Sequence, residues 1–132
     1  MTHHKQGSKR NCGQIAVAVL TDKTVEEVEA LVGHSHGTKT GDLSRVIRLL
    51  GYSCGKRCLP FKPGVKLTRA LAQMHKPGYS GWHWVAVIDD AVYDGHFARP
   101  FPLAEYTTRS LLIKGAVLTS YLLVNLPIKD EP

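Results

Sequence analysis

Cys12 stands at the mouth of an apolar run in "KQGSKRNCGQIAVAVL" (Lys5 to Leu20), with a glutamine, Gln6, six residues upstream. Most buried cysteines act as small hydrophobes and need no polar companion. A thiol at the start of a helix is a different object. The unpaired N–H groups and the positive end of the helix dipole lie against its sulfur and favour the thiolate, which is the nucleophilic form. Gly13, lacking a side chain, is expected to leave room for a substrate backbone to approach. A nucleophilic thiol also requires a base and a group that orients the base, brought in from elsewhere in the chain. His83, flanked by Trp82 and Trp84, and Asp94, in "VYDG", are the candidates, with His96 a reserve base nearby. Gln6 then acquires a role as a side-chain donor to the oxyanion formed when a thiolate attacks a carbonyl, beside the backbone N–H of Cys12.

The elements that must position these groups follow from periodicity. The run from Cys12 to Leu20 is apolar at nearly every position after Gln14, as in a helix surrounded by protein. In "TVEEVEALVG", Thr24 and Glu27 form a capping box, Val25, Val28, Leu31 and Val32 share a face, and Gly33 ends the helix. "HSHGTKTG" is loop by composition, and "DLSRVIRLLGY" is a third helix with Leu43, Val46, Ile47 and Leu50 on one side. A short helix is expected over "LTRALAQM", broken by "KPGYSG". The period then changes. "WHWVAVI" and "AVY" read as strands joined at Asp89-Asp90 in a tight hairpin, and "TSYLLVN" as a further strand. A helical turn is expected after Pro102, and a frayed tail in "LPIKDEP". Counted from the turn, His83 lies six residues before Asp89 and Asp94 four after Asp90. That is a diagonal pair within reach of an imidazole and a carboxylate on one face. Helices first and strands second predict an α+β domain in which a central helix packs on an antiparallel sheet.

At 132 residues and 43% hydrophobic, the chain has the length of one domain and can bury a core without staples. No run reaches the roughly 18 to 20 apolar residues that span a bilayer, and no export signal is read at the start, so a cytoplasmic location is expected. Three cysteines cannot all pair within the chain, which argues against a disulfide framework. The net charge of +6 is uneven: residues 1–80 carry 13 Lys/Arg against 5 Asp/Glu, and residues 81–132 carry 4 against 6. Lys56, Arg57, Lys62, Lys66, Arg69 and Lys76 either solubilise a long connecting segment or grip an acidic partner; the first reading is preferred, and nucleic acid is not expected. His34 and His36 with Cys54 and Cys58 raise a zinc reading, but His-x-His is a poor match to a second zinc knuckle. No metal or organic cofactor is expected.

The order Gln-x5-Cys-Gly opening a buried helix, then His on an apolar strand, then Asp on the following strand, resembles the papain-like cysteine peptidases. The nearest likeness is to the compact bacteriocin-processing (double-glycine) peptidase domains of peptide-exporting ABC transporters. It covers nearly the whole chain, although Gly95 follows Asp94 where that group commonly has Pro. The resemblance implies a papain-like α+β fold over residues 1–132, N-terminal helices with a buried nucleophile helix packed on a C-terminal antiparallel sheet. It implies a thiol peptidase with Cys12 as nucleophile, His83 as base, Asp94 as its orienter and Gln6 in the oxyanion hole. The small size, basic charge and lack of a read export signal suit a bacterial or phage protein that cuts a peptide or isopeptide amide in a peptide or protein substrate, with small residues at the cut. The alternative is the same fold with an idle site, using its basic half to hold an acidic protein or nucleic acid.

Overall fold

The computed structural model describes residues 11–34, 37–55, 57–62, 64–75, 82–95, 99–107 and 117–126. Three helices come first: α1 (Cys12–Thr21), α2 (Val25–Val32) and α3 (Thr40–Leu49). Strands follow: β1 (Ser53–Cys54), β2 (Leu59–Pro60), β3 (Arg69–His75), β4 (Trp82–Ile88), β5 (Ala91–Tyr93), β6 (Phe101–Pro102) and β7 (Val117–Asn125). Among the described residues the sheet runs in the order β1-β7-β3-β4-β5-β6, with β2 also on β7, and its pairings are antiparallel. The protein is therefore α+β, and no helix among the described residues is long and apolar enough to cross a membrane.

Local signals set the helices. Thr24 Oγ1 accepts from the Glu27 backbone N–H and the Glu27 carboxylate accepts from Thr24, and Gly33 closes α2 at φ 98°, where a side chain would be strained. α1 is buried along its whole length beyond Cys12 because α2 and α3 cover one side and β4 and β3 the other. The sheet has two buried faces. Leu71, Trp84, Ala86, Leu122 and Val124 face the helices. Ala70, Ala72, Met74, Val85 and Val87 face a second cluster closed by Phe101, Leu103 and Tyr106. The alternation along β4 thus sends neighbouring residues into different cores.

The expected helix over "LTRALAQM" is not formed; its residues carry strand β3. Ala, Leu, Gln and Met favour helix locally, but by no more than about 0.7 kcal/mol per residue. β3 is a central strand, bonded to β4 on one edge and β7 on the other, and Ala70, Leu71 and Ala72 are fully buried on its two faces. Ladder hydrogen bonds and burial on both faces outweigh that preference. The first half is also not purely helical, since β1 and β2 add two short strands to the edge of β7.

The hairpin forms where expected. Ile88 pairs with Ala91, and Asp89 and Asp90 both have positive φ (49° and 61°), as a primed two-residue turn requires. This turn is clamped on two sides. The Asp90 carboxylate accepts from Leu67 N–H at 2.8 Å, and Leu103 N–H donates to Asp90 O at 2.7 Å. The second bond, with β6 pairing on β5, fixes the start of the helical residues 103–107 relative to the hairpin.

Candidate active site

Cys12 is the first residue of α1, and Asn11 holds the N-cap position without bonding the helix through its side chain; its Nδ2 reaches Glu29 Oε1 at 3.4 Å instead. The free end of the helix is turned to the sulfur. The Cys12 thiol is hydrogen-bonded by the backbone N–H of Gly13 and of Trp84 and by the His83 side chain. Burial alone would push this thiol up, but the His83 hydrogen bond and charge, joined by the two N–H donors, outweigh it and hold the thiol below its ordinary range.

His83 is the second residue of β4. Its Nε2 lies 2.7 Å from Asp94 Oδ1. Because Nε2 is taken by the carboxylate, the nitrogen that meets the sulfur is Nδ1. Burial disfavours the imidazolium, yet the bond to Asp94, the bond to Cys12 and the charges of both push His83 up to about 9. Both shifts favour the ion pair, an imidazolium held between a thiolate and a carboxylate. Asp94 is only 2% exposed, while the His83 side chain keeps 23% of its surface. The ring is therefore reachable from solvent and its orienting carboxylate is not. The hairpin register explains the contact: continued beyond Tyr93, it sets Asp94 opposite Val85, diagonal to His83 on the same face.

The second oxygen of Asp94 is engaged by a residue that sequence reasoning passed over. Tyr106 Oη lies 2.5 Å from Asp94 Oδ2 and 2.8 Å from Met74 Sδ. No motif marks Tyr106; the only sequence signal was the expected turn after Pro102, which places it on a short helix without saying what its hydroxyl reaches.

Gly13 serves a different purpose from the one expected. It is buried, and a Cβ there would run into Thr38 Oγ1 and come within 2.9 Å of Leu43 Cδ1. The space beside Gly13 is occupied by the chain itself, not left for a substrate. The same loop is tied down twice more, by Trp84 Nε1 donating to Thr38 O at 3.3 Å and by Gln14 Nε2 donating to His34 O at 3.1 Å.

Cys12, His83 and Asp94 are thus brought together, while Gln6 and His96 lie outside the described residues, as do Ser35, His36, Lys56 and Lys76. Cys54 Sγ faces Ser44 O at 3.7 Å, and among the described residues no group of three or more His, Cys, Asp or Glu is placed to hold a metal ion. Arg57, Lys62 and Lys66 are exposed, but Arg69 is half-buried and donates to Leu20 O. No protein-family model and no curated protein matches the chain.

Proposed function

We propose that this protein is a papain-like cysteine peptidase, or an acyl-transfer enzyme of the same chemistry, acting on a peptide or isopeptide amide. One observation carries the reading: the thiol at the head of a buried helix shares an imidazole with a buried carboxylate, so nucleophile, base and orienter are already paired. The Cys12 thiolate attacks the amide carbon and forms the S–C bond. His83 gives its proton to the nitrogen as the C–N bond breaks and the amine leaves. His83 then takes a proton from the water that attacks the thioester carbon, the C–S bond breaks as the acid product leaves, and the Cys12 thiolate and His83 imidazolium are restored. An amine in place of water gives transpeptidation. Asp94 holds the ring with Nδ1 toward sulfur and stabilises the imidazolium. The Cys12 backbone N–H and the Gln6 amide are assigned to the oxyanion, Gln6 on its spacing in the sequence. This chemistry uses no metal or organic cofactor.

Two measurements test the proposal together. Peptides carrying Gly-Gly, Gly-Ala and Ala-Ala pairs, incubated with the wild type and with Cys12→Ala and read by mass spectrometry, are expected to give new fragments with the wild type alone. At pH 6, iodoacetamide is expected to label Cys12 faster than Cys54 or Cys58, because an ordinary thiol of pKa about 8.5 is almost wholly protonated there. A Cys12 that labels no faster than Cys54 or Cys58 would overturn the assignment, and identical peptide spectra would remove its peptide substrates.

A further inference from the structure

We propose that Tyr106 is a positioning residue of this site: its hydroxyl donates to Asp94 Oδ2 and thereby holds Oδ1 on His83 Nε2 and the ring's Nδ1 on the Cys12 sulfur. The inference rests on the thiol-enzyme reading above and adds a fourth member to the set.

Asp94 and Tyr106 are 2% and 1% exposed. A carboxylate so buried is costly to keep charged unless donors replace the water it has lost. His83 meets Oδ1 and Tyr106 meets Oδ2, so each oxygen has a donor. The 2.5 Å separation from Oη to Oδ2 is that of a charge-assisted O–H···O bond. The hydroxyl has one proton, and between Asp94 Oδ2 and Met74 Sδ the charged oxygen is by far the better acceptor. Met74 stands opposite His83 in the β3–β4 register, so the phenol tip is seated beside the strand pair that carries the imidazole.

The backbone explains why this phenol can act as a fixed reference. Leu103 N–H is bonded to Asp90 O, and β6 is paired to β5, so the helical residues 103–107 are held by the same hairpin turn that sets Asp94 diagonal to His83. The charged groups acting on His83 are Asp94 and Cys12, from the end of β5 and the head of α1, and the charged group acting on Cys12 is His83, beside the backbone N–H donors of Gly13 and Trp84. Tyr106, from the helical residues 103–107, reaches both through Asp94, and β3 contributes the uncharged Met74.

Loss of the hydroxyl would leave Asp94 harder to keep ionised. A weakened carboxylate supports the imidazolium less, the thiolate loses its counter-charge, and the thiol then ionises at higher pH. A merely structural tyrosine would lower stability and leave that titration where it was. The test is the pH profile of iodoacetamide labelling at Cys12, followed by peptide mapping in the full chain, for the wild type, Tyr106→Phe and Tyr52→Phe. Tyr52 is the control, since its hydroxyl donates to Thr21 O at the far end of α1. Tyr106→Phe is expected to raise the Cys12 midpoint by roughly one pH unit, the size of one hydrogen bond lost from a charged group, and Tyr52→Phe to leave it unchanged. A Tyr106→Phe profile superimposed on the wild type would overturn the proposal. Should Tyr106→Phe fail to fold, 3-fluorotyrosine at position 106, a stronger donor, is expected to lower the midpoint, and an unmoved midpoint overturns the proposal equally. Wild-type Cys12 that labels no faster at pH 6 than Cys54 or Cys58 would overturn the thiol-enzyme reading itself, whatever the Tyr106 variants do.

Discussion

Cys12 and Cys54 are both half-buried thiols, and burial pushes both up, yet they titrate in opposite directions. Cys54 has a cation beside it. Arg48 lowers its thiol somewhat, but burial wins and the thiol stays above its ordinary range. The difference lies in what the sulfur is asked to do. Cys54 Sγ faces the Ser44 carbonyl, an acceptor that favours the protonated thiol, while the exposed Arg48 guanidinium is spent on the carbonyls of Cys54 and Gly55. Among the described residues, the polar groups that act on Cys12 are donors: the Gly13 and Trp84 N–H groups and the His83 ring. A nearby charge is a weak lever on a thiol when solvent screens it, whereas donors aimed at the sulfur stabilise the thiolate itself.

Removing the ring should erase the contrast. His83→Ala takes away the largest of the influences that lower Cys12 and leaves burial, so Cys12 becomes a thiol of the Cys54 kind. Its iodoacetamide labelling at pH 6 is expected to fall on the order of a hundredfold, toward the rate of Cys54. A variant that labels as fast as the wild type would mean that the helix N–H groups alone hold the thiolate.

The two directions of shift at Cys12 and His83 also define a pH window. The thiolate–imidazolium pair forms as pH rises through the lowered Cys12 value and is lost as pH rises through about 9, where His83 gives up its proton. Peptide turnover, which needs that proton for the leaving amine, should fall about tenfold per unit beyond this point. Labelling of Cys12 should not fall, because the sulfur remains ionised. Loss of both together above pH 9 would point to unfolding instead, and circular dichroism separates the cases.

The smallest effect concerns the scaffold. Gly13→Ala drives a methyl into Thr38 and Leu43, and overpacking of this kind is expected to cost about 1–3 kcal/mol by denaturant unfolding. If Gly13 instead served only to admit a substrate, the variant would unfold like the wild type and lose turnover alone.

Much of the fold was legible because its signals are short-range. The capping box of α2 and the Asp89-Asp90 turn each depend on residues within three positions of one another, and each forms where the sequence indicates. The turn then carries information outward, since counting from it places His83 diagonal to Asp94 without any knowledge of packing. β3 was not legible for the opposite reason. Its helix-forming residues are overruled by two neighbouring strands contributed by residues later in the chain. The role expected for Gly13 failed for the same reason, because the atoms filling its space belong to Thr38 and Leu43 on a distant loop and helix.

By itself, then, the sequence determined the thiol at the head of an apolar helix, the hairpin that presents an imidazole and a carboxylate on one face, and the split into helices and sheet. These rest on periodicity, caps and turns, whose energies are settled among near neighbours. Only the tertiary structure decided that Nε2 faces Asp94 and leaves Nδ1 for the sulfur, and that the Trp84 N–H joins Gly13 in supporting the thiolate. It also decided that Tyr106 closes the second oxygen of Asp94. Each of these is the satisfaction of a buried polar atom, and which donor satisfies it depends on how the layers pack, not on the residues beside it in the chain.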